Sequence, residues 1–338
     1  MTPAEQGYRM PAEWAPHAST WISWPHEPTT WPGRLPQAEA CVARWVRALA
    51  GSERVDINVL DAQHQAHVEG VLEEWDIPLA GVAFHPIPTA DAWIRDYGPT
   101  FVKGSDGVAA VRWQFDAWGG KGVGYYGENE GRDRLVAEKV ASAAGVPVFD
   151  TGLVLEGGAI DVNGEGVLIA TRDCLLSHRG RPEAGALVEG VLHDFLGVER
   201  VVWLENAPLP GDDTDGHVDN LARFTGPRTV LLAWVDKSHP LYDVLRRNRV
   251  LLERDFEVIP LELPAPVRHR GQSFPASYLN FYIGNRIVLA PIYADRHDVR
   301  ALETLSRCFP DRGVVPIDCC DYILGQGAIH CSTQQQPA

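Results

Sequence analysis

The stretch "GHVDNLARFTGPRTVLLAW" (residues 216–234) has a pattern that returns along the whole chain. A polar residue, Asp219, is followed by an apolar run, a glycine-containing turn and a second apolar run. Similar stretches surround four more polar positions, which are Asp96, Asp161, Asn280 and His330. The intervals between the five positions are 65, 58, 61 and 50 residues. This recurrence predicts five imperfect copies of one structural unit.

Amphipathic helix patterns, with apolar residues three and four apart, lie between these stretches. Each pattern is followed by a short β-rich run, and several end at Gly or Pro. The predicted helices cover residues 36–51, 62–75, 132–145, 182–197, 241–256 and 298–309. Five units of strand, turn, strand and helix favour an α/β fold closed into a five-bladed propeller, because a closed ring protects the sheet edges. The alternative is that such strands recur by chance in an α/β protein.

The composition indicates one globular domain and a cationic partner. No Ser- or Gly-rich linker divides the 338 residues, and a hydrophobic content of 45% with 11 Trp suits a sizeable core, so we expect a single domain over 1–338. The net charge of -15 disfavours nucleic acid and anionic membranes, which require basic patches. A small cationic substrate suits this field.

The chain shows no sign of export. Its first residues, "MTPAEQGYRMPAEW", contain no apolar segment of the signal-peptide kind, and no apolar run is long enough to span a membrane. The six cysteines form no CxxC pair and no regular framework. We therefore expect free thiols in a reducing, cytoplasmic compartment.

The C-terminal stretch "GAIHCSTQQQPA" (residues 327–338) holds the fifth copy of the repeat and a cysteine, Cys331. A closed ring needs this copy, so we expect the terminus to be held in the fold. Equivalent ends of propeller blades converge on a central channel. Asp96, Asp219, His330 and Cys331 should therefore approach one another there.

The stretch "GDDTDGHVDN" (residues 211–220) supplies an imidazole and a carboxylate. His217 and Asp219 are two apart, a spacing that places both side chains on one face of a strand. The alternative is an Asp-rich surface turn. We assign that role to Asp212 and Asp213.

Two further stretches offer candidate residues. "DAWIRDYGPT" carries Trp93 and Asp96, which could equally form an ion pair and a core contact before a Gly-Pro turn. "LEGGAID" carries Glu156 before Gly157 and Gly158, a pair that indicates close backbone approach, by packing or by a ligand. A glutamate in such a place is more often solvated than functional.

A thiol, an imidazole and several carboxylates around one channel suit a guanidinium substrate. Cys331 would be the nucleophile and His217 its acid and base. Carboxylates beside a thiol raise its pKa, which is wrong for an ordinary protease. They match the planar N–H edges of a guanidinium, which leaves the central carbon open to the thiolate. No metal is required.

The sequence resembles agmatine deiminases and the related bacterial-type peptidyl-arginine deiminases, in the guanidine-modifying pentein superfamily. The motifs that carry the resemblance span nearly the whole chain: "GYRMPAEWAPHASTWISWP", "DAWIRDYGPTFV", "FDAWGGK", "LEGGAIDVNGEGVLIAT", "GDDTDGHVDN", "SYLNFYIGN", "PDRGVV" and "GAIHCSTQQQPA". The resemblance implies a five-bladed α/β propeller and hydrolysis of a guanidinium to a ureido group with release of ammonia, without a cofactor. For agmatine the product is N-carbamoylputrescine.

By position in these motifs, Cys331 resembles the nucleophile that forms a thiouronium intermediate, and His217 the general acid and base. Asp96 and Asp219 resemble the guanidinium clamps. Glu156 and Trp93 also fall at positions associated with substrate binding. The sequence departs from the family at "GQGAIHC", where many members have Gly-Gly-Gly-Asn-Ile-His-Cys, and at "DDTDGH", where many have Asp-Glu-Thr-Asn-Gly-His. Both departures border the pocket and concern the far end of the substrate.

Other functions remain open from the sequence. The substrate could be arginine in a peptide or another small guanidine. A metal-dependent ureohydrolase would need a His- and Asp-rich cluster around paired ions, and His64 and His67 have no evident third ligand. A non-catalytic propeller that binds partners on its rim would tolerate loss of Cys331. The resemblance suggests a homodimer or higher homo-oligomer.

Overall fold

The computed structural model describes residues 1–120, 131–177 and 184–338. Its strands are β1 His17–Ser23, β2 Arg54–Val59, β3 Val82–Pro86, β4 Thr100–Gly104, β5 Gly107–Gln114, β6 Val148–Val154, β7 Ile160–Val162, β8 Val167–Thr171, β9 Arg200–Leu204, β10 Ala222–Gly226, β11 Thr229–Trp234, β12 Glu257–Glu262, β13 Val267–His269, β14 Gln272–Phe274, β15 Tyr282–Ile283, β16 Ile287–Ile292, β17 Gly313–Asp318 and β18 Thr333–Pro337. The longer helices are Leu35–Leu49, Ala62–Glu74, Val136–Ala144, Gly185–Leu196, Tyr242–Leu252 and Asp298–Cys308.

Helices formed at all six predicted places, and their ends follow from local chemistry. The Asp61 carboxylate accepts a hydrogen bond from the His64 amide at 2.8 Å and starts the second helix. Gly145 and Gly197 end two helices in the left-handed conformation, with φ of 69° and 66°, where a glycine avoids the steric cost of a side chain. Pro182 and Glu183, placed in the fourth predicted helix, lie outside the described residues, as does Lys121 of the "FDAWGGK" motif.

Within the described residues, four three-stranded sheets share one connectivity. In the sheet β4-β5-β6 the first two strands are antiparallel, and the third is parallel to the second after a helical crossover. The sheets β7-β8-β9, β10-β11-β12 and β15-β16-β17 repeat this order and these directions. The predicted α/β fold of repeated strand, turn, strand and helix units is confirmed.

The remaining large sheet joins the two ends of the chain. Its order is β18-β1-β2-β3, with β18 antiparallel to β1 and the other pairs parallel. Trp21 lies opposite Gln334, and Ile22 lies opposite Thr333. The last strand therefore completes the first unit, as closure of a five-membered ring requires.

Short turns precede the first strand of the units, and they contact one another. The turns Ile94–Tyr97, Gly157–Ala159, Val218–Asn220 and His330–Ser332 lie before β4, β7, β10 and β18. The first contacts the second and the last, and the second contacts the third. Segments from distant parts of the sequence thus meet at one place.

The second copy of the repeat, around Asp161, differs from its sequence alignment. Asp161 lies within β7 and not in the turn, and its carboxylate accepts a hydrogen bond from the Phe224 amide at 2.6 Å. The turn residue that faces the centre is Gly158. Asp161 therefore ties one unit to the next, since β10 carries Phe224.

No helix among the described residues is both long and apolar enough to cross a bilayer. The main apolar core extends from Trp21 in the first unit to Cys331 at the start of the last strand. A second cluster, which includes Val102 and Leu168, lies between the sheets of β4 and β7. Burial of this kind supplies most of the favourable free energy of folding.

The closing strand is anchored by a buried hydrogen bond from the Trp21 indole N–H to the Gln336 side-chain oxygen, at 2.9 Å. Gln336→Ala leaves this donor without its partner in the protein interior. We expect the free energy of unfolding to fall by about 1–3 kcal/mol. Urea denaturation measures the change, and Gln6→Ala, at an exposed glutamine, is the matched control. Equal stability of the two variants would show that the bond does not anchor the strand.

Candidate active site

The four predicted catalytic residues lie on the convergent turns. Asp96 is in the turn Ile94–Tyr97, and His217 caps the turn that contains Asp219. Cys331 is in the turn His330–Ser332, with its Sγ 3.6 Å from the Asp219 carboxylate. All four side chains are buried. Asp96 and Cys331 are far apart in the sequence. The pairing of β18 with β1 brings the turn that contains Cys331 close to the turn that contains Asp96.

The His217 imidazole lies between two carboxylates. Its Nδ1 is 3.7 Å from an Asp96 oxygen, and its Nε2 is 3.9 Å from a Glu156 oxygen. Burial opposes the charged form, but Asp96, Cys174 and Asp219 together outweigh it, so the pKa of His217 is raised well above its ordinary value. This shift favours the imidazolium form of the ring.

The Asp-rich turn fixes the backbone before His217. The Asp212 carboxylate accepts hydrogen bonds from the amides of Thr214 and Gly216, and the Thr214 hydroxyl accepts one from the His217 amide at 3.1 Å. The turn assignment of Asp212 is thus confirmed. Asp213 differs, because its side chain faces the cavity described below.

Gly158 allows the three charged groups to approach. A Cβ at this position would lie 2.7 Å from His217 Nδ1 and 2.8 Å from the Asp96 carboxylate. Its amide donates a hydrogen bond to that carboxylate at 3.0 Å. A side chain is also excluded at Gly157, because a Cβ there would lie 2.2 Å from the Arg95 carbonyl oxygen. The close approach predicted from the paired glycines is therefore a packing requirement of the site.

The Cys331 thiol is in a setting that disfavours the thiolate. Burial raises its pKa well above the ordinary value, and the Asp219 and Asp96 carboxylates raise it further. A backbone hydrogen bond at Ala328 and the Asn280 side-chain N–H group, 3.1 Å from Sγ, oppose this shift. The expectation that this cysteine has no low resting pKa is confirmed.

Asn280 organises the nucleophile from the fourth repeat. Its amide oxygen accepts hydrogen bonds from the backbone N–H groups of His330, at 2.9 Å, and Cys331, at 3.3 Å. Its N–H group also approaches the Asp219 carboxylate at 3.3 Å. The repeat located this residue, but the sequence did not show that it contacts the thiol.

A buried ionic network holds Asp219. The His330 ring bridges the carboxylates of Asp219 and Glu13, 2.8 Å from each, and Arg223 lies 2.9 Å from Glu13. Burial alone would raise the pKa of Asp219, but the hydrogen bond and charge of His330 outweigh it, so this pKa is lowered. Glu13 was not identified from the sequence, because nothing in "MPAEW" distinguishes it from a surface glutamate.

Asp96, the second predicted guanidinium clamp, has a pKa shifted in the opposite direction from that of Asp219. Asp96 accepts hydrogen bonds from the Gly158 amide and, at 3.0 Å, from the Trp118 indole N–H. Burial raises the pKa of Asp96; the attraction of His217 counters this, and the repulsion of Asp219 adds to it. An entering cation would relieve that repulsion.

A cavity of about 390 Å³ leads to the thiol, a size typical of small-molecule sites. Trp93 lines it, with its indole N–H donating to Asp91 at 3.0 Å, and a Cβ on Gly327 would lie 2.6 Å from the Trp93 ring. Asp96, Asp213 and Cys331 also reach the cavity. Glu156, His217 and Asp219 are buried and are not among the residues that line the cavity.

Comparison with known proteins identifies the class that this fold and thiol site define: hydrolytic enzymes that modify amidines. The chain belongs to the Porphyromonas-type peptidyl-arginine deiminase family, which it matches over residues 9–337. It is 38% identical to the agmatine deiminase of Pseudomonas putida over 366 aligned positions, which cover 100% of this chain and 97% of that protein.

Solved structures agree with this assignment. The agmatine deiminase of Enterococcus faecalis superposes with a TM-score of 0.89 at 31% identity, covering 99% of this chain and 97% of that one. DDAH from Pseudomonas aeruginosa superposes with a TM-score of 0.54 at 15% identity, covering 95% and 99%, which shows the shared fold alone. The predicted pentein fold is therefore confirmed.

The raised pKa of Cys331 predicts an unusual alkylation profile. In the folded, unliganded protein, the rate with iodoacetamide should still rise about tenfold per pH unit between about pH 9 and 10, because the thiolate is the reactive form. In urea-unfolded protein, the same peptide should level off there, since its pKa is ordinary. Mass spectrometry of the Cys331 peptide gives both rates. Fast alkylation of the folded protein at about pH 6 would contradict the assignment.

Proposed function

We propose that this protein is an agmatine deiminase, which hydrolyses agmatine to N-carbamoylputrescine and ammonia. The observation that carries the proposal is the buried Cys331 thiol beside the Asp219 carboxylate, with Asp96 and His217 on the facing turns. The relatives described above bear the agmatine deiminase name. A carboxylate-rich cavity of this size suits a slim dication.

Binding places the guanidinium between two carboxylates. Asp96 and Asp219 accept hydrogen bonds from its N–H edges and keep it protonated, and Trp93 packs on the cavity wall. The cation opposes the two charges that raise the pKa of Cys331, so the thiol releases its proton to solvent as the substrate enters. Substrate binding itself thus generates the nucleophile.

The reaction then proceeds in two halves. The Cys331 thiolate attacks the guanidinium carbon, the His217 imidazolium donates its proton to the departing nitrogen, and ammonia leaves a thiouronium intermediate. Neutral His217 next removes a proton from water, whose oxygen attacks the same carbon. The C–S bond breaks, the proton of the new hydroxyl group passes to Sγ, and the neutral ureido product is released with the Cys331 thiol restored. Glu156, near Nε2, stabilises the imidazolium in the resting state and again after water is deprotonated.

Asp213 is the proposed partner of the distal amine. It lines the cavity with Trp93 and Cys331 and comes from the loop before His217. Burial raises its pKa to about 6, and the neighbouring Asp212 adds to the shift. An ammonium group placed beside Asp213 would restore the stability of its charged form.

Peptidyl-arginine or another carboxylate-bearing guanidine is the second candidate substrate, and Arg270 favours it. Arg270 and Gly271 form the two-residue turn between β13 and β14, with φ of 48° and 82°, and exposed Arg270 lines the cavity. A guanidinium at the mouth would attract a substrate carboxylate. The family description names peptidyl-arginine.

The wider organisation is also proposed. A single domain over residues 1–338 is supported by the sheet that joins β18 to β1 and by a core that extends between them. A cytoplasmic enzyme that acts as a homodimer or higher homo-oligomer remains our expectation from the sequence.

Product analysis tests the function. Agmatine, arginine and a peptidyl-arginine are incubated with the enzyme, and ureido product and ammonia are measured. We expect turnover of agmatine, loss of at least about a thousandfold in Cys331→Ala because no nucleophile remains, and no decrease with a chelator. Preference for a carboxylate-bearing substrate would favour the second candidate. Loss of activity with a chelator would instead indicate a metal-dependent ureohydrolase.

The pKa of Asp213 predicts a pH-dependent KM. Above about pH 6 its carboxylate is charged and attracts the amine, so the KM for agmatine should rise as the pH falls through this value. Asp213→Asn should raise the KM about ten- to a hundredfold at pH 8, the loss of one charge-assisted contact. Butylguanidine, which lacks the amine, is the control substrate and should not respond. An equal effect on both substrates would refute the assignment.

A further inference from the structure

Gln326, beside the nucleophile turn, has a strained backbone. Its φ is 79° and its ψ is -2°, where it ends the turn Tyr322–Gly325. This left-handed conformation favours glycine, because the Cβ of other residues meets the following carbonyl oxygen. The Gln326 amide donates to the Ile323 carbonyl at 2.9 Å, so the turn itself requires this geometry.

The neighbouring glycines prevent Gln326 from relaxing. A Cβ on Gly325 would lie 2.8 Å from the Trp31 ring, and one on Gly327 would lie 2.6 Å from the Trp93 ring. The backbone on both sides is therefore pressed against buried indoles. A glycine at 326 would fit this path without strain, so the fold alone gives no reason for a glutamine.

The side chain of Gln326 has a feature that points to a ligand. Its Oε1 atom is buried and has no hydrogen-bond partner among the described residues. Gln326 also lines the cavity with Trp93, Asp96 and Cys331. A buried acceptor without a donor costs free energy, and such groups in native proteins usually have a functional explanation.

We propose that Gln326 is a specificity-determining residue, whose Oε1 accepts a hydrogen bond from an N–H group of the bound cationic substrate. The inference rests on the proposed deiminase function. It adds a substrate contact from a cavity segment that is distant in sequence from Asp213. A neutral oxygen accepts from the cation without adding a charge beside Cys331. A third carboxylate there would raise the pKa of the thiol still further.

Binding to an inactive protein tests the contact apart from catalysis. Agmatine and butylguanidine are titrated calorimetrically into Cys331→Ala, alone and combined with Gln326→Met or Gln326→Glu. Methionine matches the length of glutamine but has no oxygen, so we expect a Kd for agmatine at least about tenfold higher. Glutamate keeps the acceptor and should restore binding. Loss with agmatine alone places the contact on the amine, and loss with both places it on the guanidinium.

Steady-state kinetics and stability complete the test in the active enzyme. Gln326→Gly should raise the KM about tenfold, leave kcat within about twofold and leave Tm unchanged or higher, since it removes strain. A lower Tm would show that the oxygen serves the fold, and unchanged binding in Gln326→Met would overturn the proposal. If the unmodified enzyme does not turn over agmatine, the proposed deiminase function is wrong. The Gln326 contact would still be supported if Cys331→Ala binds agmatine and this binding depends on Gln326.

Discussion

The pairing of β18 with β1 is the constraint on which the rest of the structure depends. Cys331 lies two residues before β18, so the antiparallel register that sets Ile22 opposite Thr333 also sets the position of the thiol. The other catalytic turns are positioned by the same device in their own units. Because each turn immediately precedes a strand, the four three-stranded sheets and the sheet that joins the chain ends bring Asp96, Asp219 and Cys331 together although these residues are far apart in the sequence.

The charges at this junction are arranged for a cation that arrives later. The pKa of Asp219 is lowered by His330, His217 and Arg223, whereas burial and the repulsion of Asp219 raise the pKa of Asp96. The resting site thus stores repulsion among carboxylates that a guanidinium relieves. Burial, with the same two carboxylates, also raises the pKa of Cys331 and so disfavours the reactive thiolate in the resting site.

The repeated sheets and the meeting of the turns could be predicted from the sequence, because the apolar runs of the repeat give the strands and its polar positions, such as Asp96 and Asp219, give the turns. His217 and Cys331 were found beside two of these positions. The contacts between the turns could not be predicted, because a repeat in the sequence carries no information about the distances between its copies. The repeat located Asn280, but it did not predict the hydrogen bond of Asn280 to Cys331. Glu13 reaches the site through His330, which is distant from it in sequence. Asp161 was misaligned because the unit of β7 has a glycine, Gly158, at the central turn position. A glycine has no side chain and so gives no polar residue for the repeat pattern to detect.

Closure of the ring by β18 also bears on how the protein is made. During synthesis β1, which contains the buried residues Trp21 and Ile22, emerges long before its partner, and it must wait as an unpaired sheet edge. Such an edge is a template for pairing with other chains. The nucleophile and the strand that pairs with β1 emerge together, so the buried residues of β1 gain their antiparallel partner at the stage of synthesis at which the active site can assemble.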